Sequence, residues 1–126
     1  MIIDCSDNFQ TRQAINIASV KSKTPLISGA AVRFTGQIAI YRPDLDEQAC
    51  YRCLFDSDTA NDGTCIDTGV FSPLVAIIGA SQAIETLKVL LALPTQSNIL
   101  RCYNAFTSEW TTFPFEKNPE CSVCAV

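Results

Sequence analysis

The chain has 126 residues, 48% of them hydrophobic and 17% charged, which is enough apolar material for one compact core and too much for a disordered segment. Its net charge is −4, and Lys21, Lys23, Arg33, Arg42, Arg52, Lys88, Arg101 and Lys117 are scattered rather than gathered into a phosphate-neutralising stripe, which argues against nucleic acid as a main partner. Seven cysteines accompany no histidine.

The opening "MIIDCSDN" is acidic by its fourth residue and has none of the basic and apolar regions of a secretory signal. The uncharged run from Thr68 to Ile84 is interrupted by Ser72, Pro73, Gly79, Ser81 and Gln82, so it reads as a buried helix and not as a membrane span. The expectation is a soluble, cytoplasmic protein with no membrane partner. In a reducing compartment, Cys-x-x-Cys spacing favours metal binding or redox chemistry over structural disulfides.

In chain order, "MII" reads as the end of a buried strand, and Ser6 or Asp7 is placed to cap a helix through "NFQTRQAINIASV" with Ile15 and Ala18 inward. "TPLISGAAV" restarts extended structure. Gly29 and Gly36 permit tight turns, and "GQIAIY" alternates Gln37, Ala39 and Tyr41 against Ile38 and Ile40. The polar stretch from Arg42 to Gly69, with "DSDTANDG", reads as a long loop of the kind that is functional or mobile. "SPLVAIIGASQAIETLKVLLAL" is a helix with Pro73 in its first turn, Ile77, Ile84, Leu87 and Leu91 on its apolar side, and a stop at Pro94. "NILRCYN" and "EWTTFPF" form the arms of a hairpin, and "EKNPECSVCAV" is a tail. These strands are too few to cover the long helix on a full parallel sheet, so the chain reads as the second half of a larger α/β unit.

Two Cys-x-x-Cys pairs, Cys50 with Cys53 and Cys121 with Cys124, supply a complete S4 set for a tetrahedral Zn2+. With all four positions filled, such a metal cannot activate water, and its role is to pin the tail to the mid-chain loop. The competing readings are unrelated buried thiols, or a redox pair, which is disfavoured because neither pair is expected at the start of a helix. Cys102 reads as inert core, and Cys5 follows a strand end. Cys65, in the polar loop just before the long helix, is the thiol whose setting would leave a thiolate exposed. "DCSDN" puts Asp4 and Asp7 at the carboxyl end of a strand feeding a helix, where ligands bind in open α/β sheets and where carboxylates can hold Mg2+ on nucleotide phosphates. The alternative for Asp7 is a helix cap. Arg12, one turn on, can support a carboxylate or face a phosphate.

Taken in order, "DCSDN" with "TRQAIN", "PLISGAAVRFTGQI", "CYRCLF", "CIDTGVFSPLVAIIGASQAIETLK" and "NPECSVC" resemble the ThiF/MoeB/HesA family, bacterial relatives of ubiquitin-activating enzymes, over essentially the whole chain. The resemblance implies Mg·ATP-dependent adenylation of the C-terminal glycine of a ubiquitin-like sulfur carrier of ThiS or MoaD type, in thiamine or molybdopterin synthesis, by a homodimer. By resemblance Asp7 is the magnesium and ATP-phosphate carboxylate, with Asn8, Arg12 and Asn16 shaping that corner. Cys50, Cys53, Cys121 and Cys124 match the structural zinc ligands, and Cys65 matches a loop cysteine that links covalently to the carrier in some members. No G-x-G-x-x-G occurs in the chain. The expected fold is therefore α/β, the C-terminal half of a Rossmann-like adenylation domain with a structural zinc site, residues 1–126 being one partial domain. The alternative function is a zinc-stabilised docking module that keeps the carrier- or dimer-binding surface. A zinc-ribbon nucleic-acid binder is disfavoured by the acidic balance and the wide separation of the cysteine pairs.

Overall fold

The computed structural model describes residues 1–56 and 69–126. Among them the elements run β1 (Ile2–Asp4), α1 (Phe9–Ser22), β2 (Leu26–Val32), β3 (Thr35–Tyr41), α2 (Tyr51–Leu54), α3 (Ser72–Leu90), β4 (Ile99–Asn104) and β5 (Glu109–Pro114). The strands form one sheet in the order β1-β2-β3-β4-β5. Only β1 and β2 are parallel, and the other three pairings are antiparallel. A parallel pair needs a crossover, which α1 supplies, whereas β2 and β3 need only the turn at Arg33 and Phe34, where Arg33 takes φ 54°.

Both faces of the central strands are covered, so β2 and β3 are mostly apolar on both sides, with Ser28, Thr35 and Gln37 the polar exceptions. Leu26, Ala39 and Tyr41 point to one face, where Tyr51 of α2 and Phe9 and Ile15 of α1 complete a core. Ile27, Ile38 and Ile40 point to the other face, with Val89 of α3 against them. Burying each such aliphatic side chain contributes roughly 1.5–3 kcal/mol. The register Ile27 to Ile40 and Leu26 to Tyr41 keeps each set on its own side. The β4–β5 hairpin extends past this covered region, and β5 is exposed along its length.

Several local expectations are corrected. β1 is an edge strand with Ile3 half-exposed, because no strand lies beyond it among the described residues. Asn8, not Ser6 or Asp7, caps α1: its Oδ1 accepts the Thr11 N–H at 2.8 Å. The inward side of α1 is polar, made of Arg12, Gln13, Asn16 and Ser19, while Ile15 is half-buried and Ala18 exposed. The helix ends with Lys23 in the left-handed region at φ 50°, its N–H reaching back to Ser19 and Val20.

For α3 the expected apolar side is turned outward. Ile84, Leu87 and Leu91 are 55%, 58% and 67% exposed, whereas Leu74, Ile78, Gln82, Glu85 and Thr86 are buried. By length and composition α3 is apolar enough to cross a membrane, yet it packs a partly polar face on β2 and β3. The cause lies in Gly29 and Gly36, which sit inside β2 and β3 and not at turns. A Cβ on Gly29 would come within 2.4 Å of the Gln82 side chain, and one on Gly36 within 2.6 Å of Ile78. The two glycines let the helix descend far enough for Gln82 Nε2 to donate to the backbone carbonyls of Asp4 at 2.8 Å and Ile27 at 3.3 Å.

Replacing Gly36 with Ala would force Ile78 and Leu74 off the sheet, and overpacking of this kind costs about 1–3 kcal/mol. Chemical denaturation of Gly36→Ala is expected to show a lower midpoint by that amount. An unchanged midpoint would mean that the helix is not held at this distance.

Candidate functional site

The tail and the mid-chain loop meet at the four paired thiols. Cys50 precedes the single turn of α2, which carries Cys53, and the Cys53 N–H bonds to the Cys50 carbonyl at 3.0 Å. In the tail, the Cys121 N–H bonds to the Asn118 carbonyl at 3.1 Å, turning the chain so that Cys124 returns to the same side. The four sulfurs all lie within 4.8 Å of one another. Cys50 and Cys121 are 3.7 Å apart, Cys53 and Cys124 3.4 Å, and Cys50 and Cys53 4.0 Å. A tetrahedral zinc with sulfurs at 2.3 Å requires sulfur–sulfur edges of about 3.8 Å, so the donor set fits that ion.

The surroundings act on these thiols in both directions. The Asn118 N–H donates to Cys53 Sγ at 3.4 Å, and Asn16 Nδ2 donates to Cys50 Sγ at 3.5 Å. Burial pushes the Cys50 thiol up, opposed by the Asn16 hydrogen bond. For Cys121, burial is outweighed by backbone N–H groups of Cys124 and Val123, which bring it down to about 7. Burial and the neighbouring sulfurs raise Cys124. Thiols this close titrate as one set, not residue by residue. Cys50 does stand at a helix start, contrary to the expectation from sequence, but α2 is one turn long and burial prevails over any acidifying effect.

Asn16 is placed here and not at the acidic corner. It has no solvent exposure, and its Oδ1 accepts the Tyr51 N–H at 3.0 Å while its amide faces Cys50. No spacing rule connects a helical asparagine to a knuckle 34 residues later, so its role was not visible in the sequence.

At the carboxyl end of β1 the two aspartates separate. Asp4 is buried, its Oδ1 accepting Ser6 N–H at 2.8 Å and Ser6 Oγ–H at 2.6 Å, with Arg12 Nη1 4.0 Å from Oδ2. Arg12 is itself buried, donating from Nη1 to the Gly29 carbonyl at 3.0 Å and from Nη2 to the Ser6 carbonyl. Together they fix the turn after β1 against β2. Asp7 is exposed, touched by Asn8 Nδ2 at 3.4 Å. Asp7, Ser6 and Arg12 line a cavity of about 190 Å3 whose other wall includes Gly29, Val75 and Gln82. Asp7 thus presents a carboxylate at its rim, while Asp4 and Arg12 hold the loop that carries it.

Cys5 is exposed, with Sγ donating to Gln82 Oε1 at 3.6 Å. Cys102 is half-buried on β4, its thiol pushed up by burial. Cys65 lies outside the described residues.

The sequence matches the ThiF family over residues 1–123. It is 38% identical over 124 residues to the sulfur carrier protein ThiS adenylyltransferase of Escherichia coli K12, covering 98% of this chain and 49% of that protein. Identity to the molybdopterin-synthase adenylyltransferase of the same organism is 37% over 126 residues, covering 98% and 50%. The sulfur carrier protein adenylyltransferase of Thermus thermophilus is 37% identical over 131 residues, 98% of this chain and 48% of that protein. The chain spans about half the length of these curated relatives. Among solved structures, Escherichia coli MccB with succinimide superposes with a TM-score of 0.75 at 20% identity, over 98% of this chain and 38% of that one, which is a likeness of fold. The mixed α/β sheet, the four-thiol cluster and these matches together place the chain in the ThiF family.

Proposed function

We propose that the chain supplies the C-terminal part of an ATP-dependent adenylyltransferase that activates the C-terminal glycine of a ubiquitin-like sulfur carrier. The observation that carries this reading is identity of 36–38% over nearly the whole chain to enzymes named for sulfur-carrier and molybdopterin-synthase adenylation. Thiamine-type and molybdopterin-type relatives match about equally, so the reading stops at the class of carrier. A carboxylate is a poor electrophile until its oxygen becomes part of a leaving group. Bound Mg2+ would offset the charge that builds on the α-phosphate as pyrophosphate departs. Asp7, exposed at the cavity rim, is the residue that would hold this ion. Asn8 fixes the start of α1 beside it, and Asp4 with Arg12 keeps the turn rigid. The glycine-rich phosphate cradle has no counterpart in these 126 residues, and we place it in the half of such enzymes that this chain does not match.

We assign Zn2+ to Cys50, Cys53, Cys121 and Cys124 as a closed structural site, in a cytoplasmic setting that keeps thiols reduced. We further assign the exposed side of α3, with Ile84, Leu87 and Leu91, to a two-fold contact with a second copy of the chain, since apolar surface of this kind seldom stays open on a monomer. The docking-module reading is supported by the same exposed surface.

A chimera in which this chain replaces the matching half of the Escherichia coli ThiS adenylyltransferase separates the two functions. Carrier-dependent exchange of labelled pyrophosphate into ATP is expected, falling about a hundredfold or more in Asp7→Asn. A folded, zinc-loaded chimera without exchange would favour the docking module. Metal analysis of the purified chain should give one zinc per chain, lost in Cys53→Ser and released by acid because zinc binds thiolates; metal retained in full by that variant would rule out this ligand set. Light scattering over a concentration series should show a dimer that Leu87→Glu dissociates, and a wild-type monomer at all concentrations would remove the two-fold contact.

A further inference from the structure

Away from the thiols and the acidic corner, a cavity of about 360 Å3 opens between the end of α3 and β4, lined by Glu85, Lys88, Pro94, Thr95, Gln96 and Arg101. Its floor is a buried carboxylate. Glu85 Oε1 lies 3.0 Å from Arg101 Nη2 and 3.4 Å from Lys88 Nζ. One carboxylate facing two cations leaves the cluster with a positive charge. Both cations are partly exposed and stand on the cavity wall, whereas Glu85 is enclosed behind them. Nine-tenths or more of a carboxylate is rarely buried without such pairing, yet a single cation would meet that need.

Three further features make the excess charge available to a ligand. Arg101 has a planar guanidinium with several N–H groups, and among the described residues Glu85 is its one ionic partner. The last carbonyls of α3, which would repel an anion, are already engaged: Leu87 by the Leu91 N–H, Lys88 by Leu93 and Val89 by Ala92, with Ala92 at φ 54°. The side chains of Thr95 and Gln96 make no hydrogen bond among the described residues and add a hydroxyl and an amide to the same wall.

We propose that this cavity binds a small molecule through a compact oxyanion, a phosphate or a carboxylate, held between Lys88 and Arg101 with Thr95 and Gln96 completing its hydrogen bonds. The volume exceeds what the anion alone needs, which leaves room for the rest of a small molecule. The assignment is independent of the adenylation reading, because no residue of the acidic corner lines this cavity.

The test is nitrogen-15 NMR of the zinc-loaded 126-residue chain at low ionic strength, titrated separately with inorganic phosphate and with acetate. Saturable shifts confined to Lys88, Thr95, Gln96 and Arg101 are expected, and the anion with the lower dissociation constant identifies the group recognised. In Arg101→Gln, affinity should fall about tenfold or more, the loss expected for one charge-assisted hydrogen bond. Lys88→Gln, on a more exposed side chain, provides the same comparison should Arg101→Gln unfold. The proposal is overturned if neither anion saturates at millimolar concentration, or if both variants bind as the wild type does.

Discussion

The described structure depends on a crossing of distant chain segments at one point. The last residues carry Cys121 and Cys124 back to Cys50 and Cys53, and the sulfurs approach to 3.4 Å and 3.7 Å across the two pairs. Nothing else in the tail is regular structure, and β5, which leads into it, is exposed. Four thiols at this distance gain little from one another without a cation; with one, they become the contact that closes the chain. Asn16 conveys this to the rest of the fold, since its amide joins the Cys50 sulfur and the Tyr51 N–H to the buried side of α1.

The same helix holds the acidic corner. Asn8 caps its first turn, Arg12 ties it to the β1 turn and to β2, and Asn16, one turn further, reaches the thiols. At 1.5 Å per residue the cap and Asn16 are about 12 Å apart along the axis. Asp7 is therefore positioned by a rigid element that also contacts the four-thiol cluster. A thiol cluster remote from the acidic corner can thus influence where an exposed carboxylate stands.

The pairing of the thiols is legible in the sequence because Cys-x-x-Cys is a local device: a short turn brings two sulfurs together whatever the fold. The hairpin of β4 and β5 and the span of α3 were legible for the same reason. The face of α3 was not. Apolar residues occur on almost every side of that helix, so counting them selects the richer side, Ile84 with Leu87 and Leu91, which the structure exposes. The buried side is chosen by partners far away in sequence: the carbonyls of Asp4 and Ile27 for Gln82, and Arg101 for Glu85. The local freedom of Gly29 and Gly36 suggests turns, while their use is to admit a helix. The inward polar face of α1 escaped for a like reason, because Asn16 and Gln13 find partners only around α2.

X-ray absorption at the zinc edge tests the central claim most directly. The account predicts a first shell of four sulfurs at about 2.3 Å with no nitrogen or oxygen. Fewer than four sulfurs, or a water or other light atom in the shell, would contradict it, because the site would then be open and the tail would not be closed onto α2 as described.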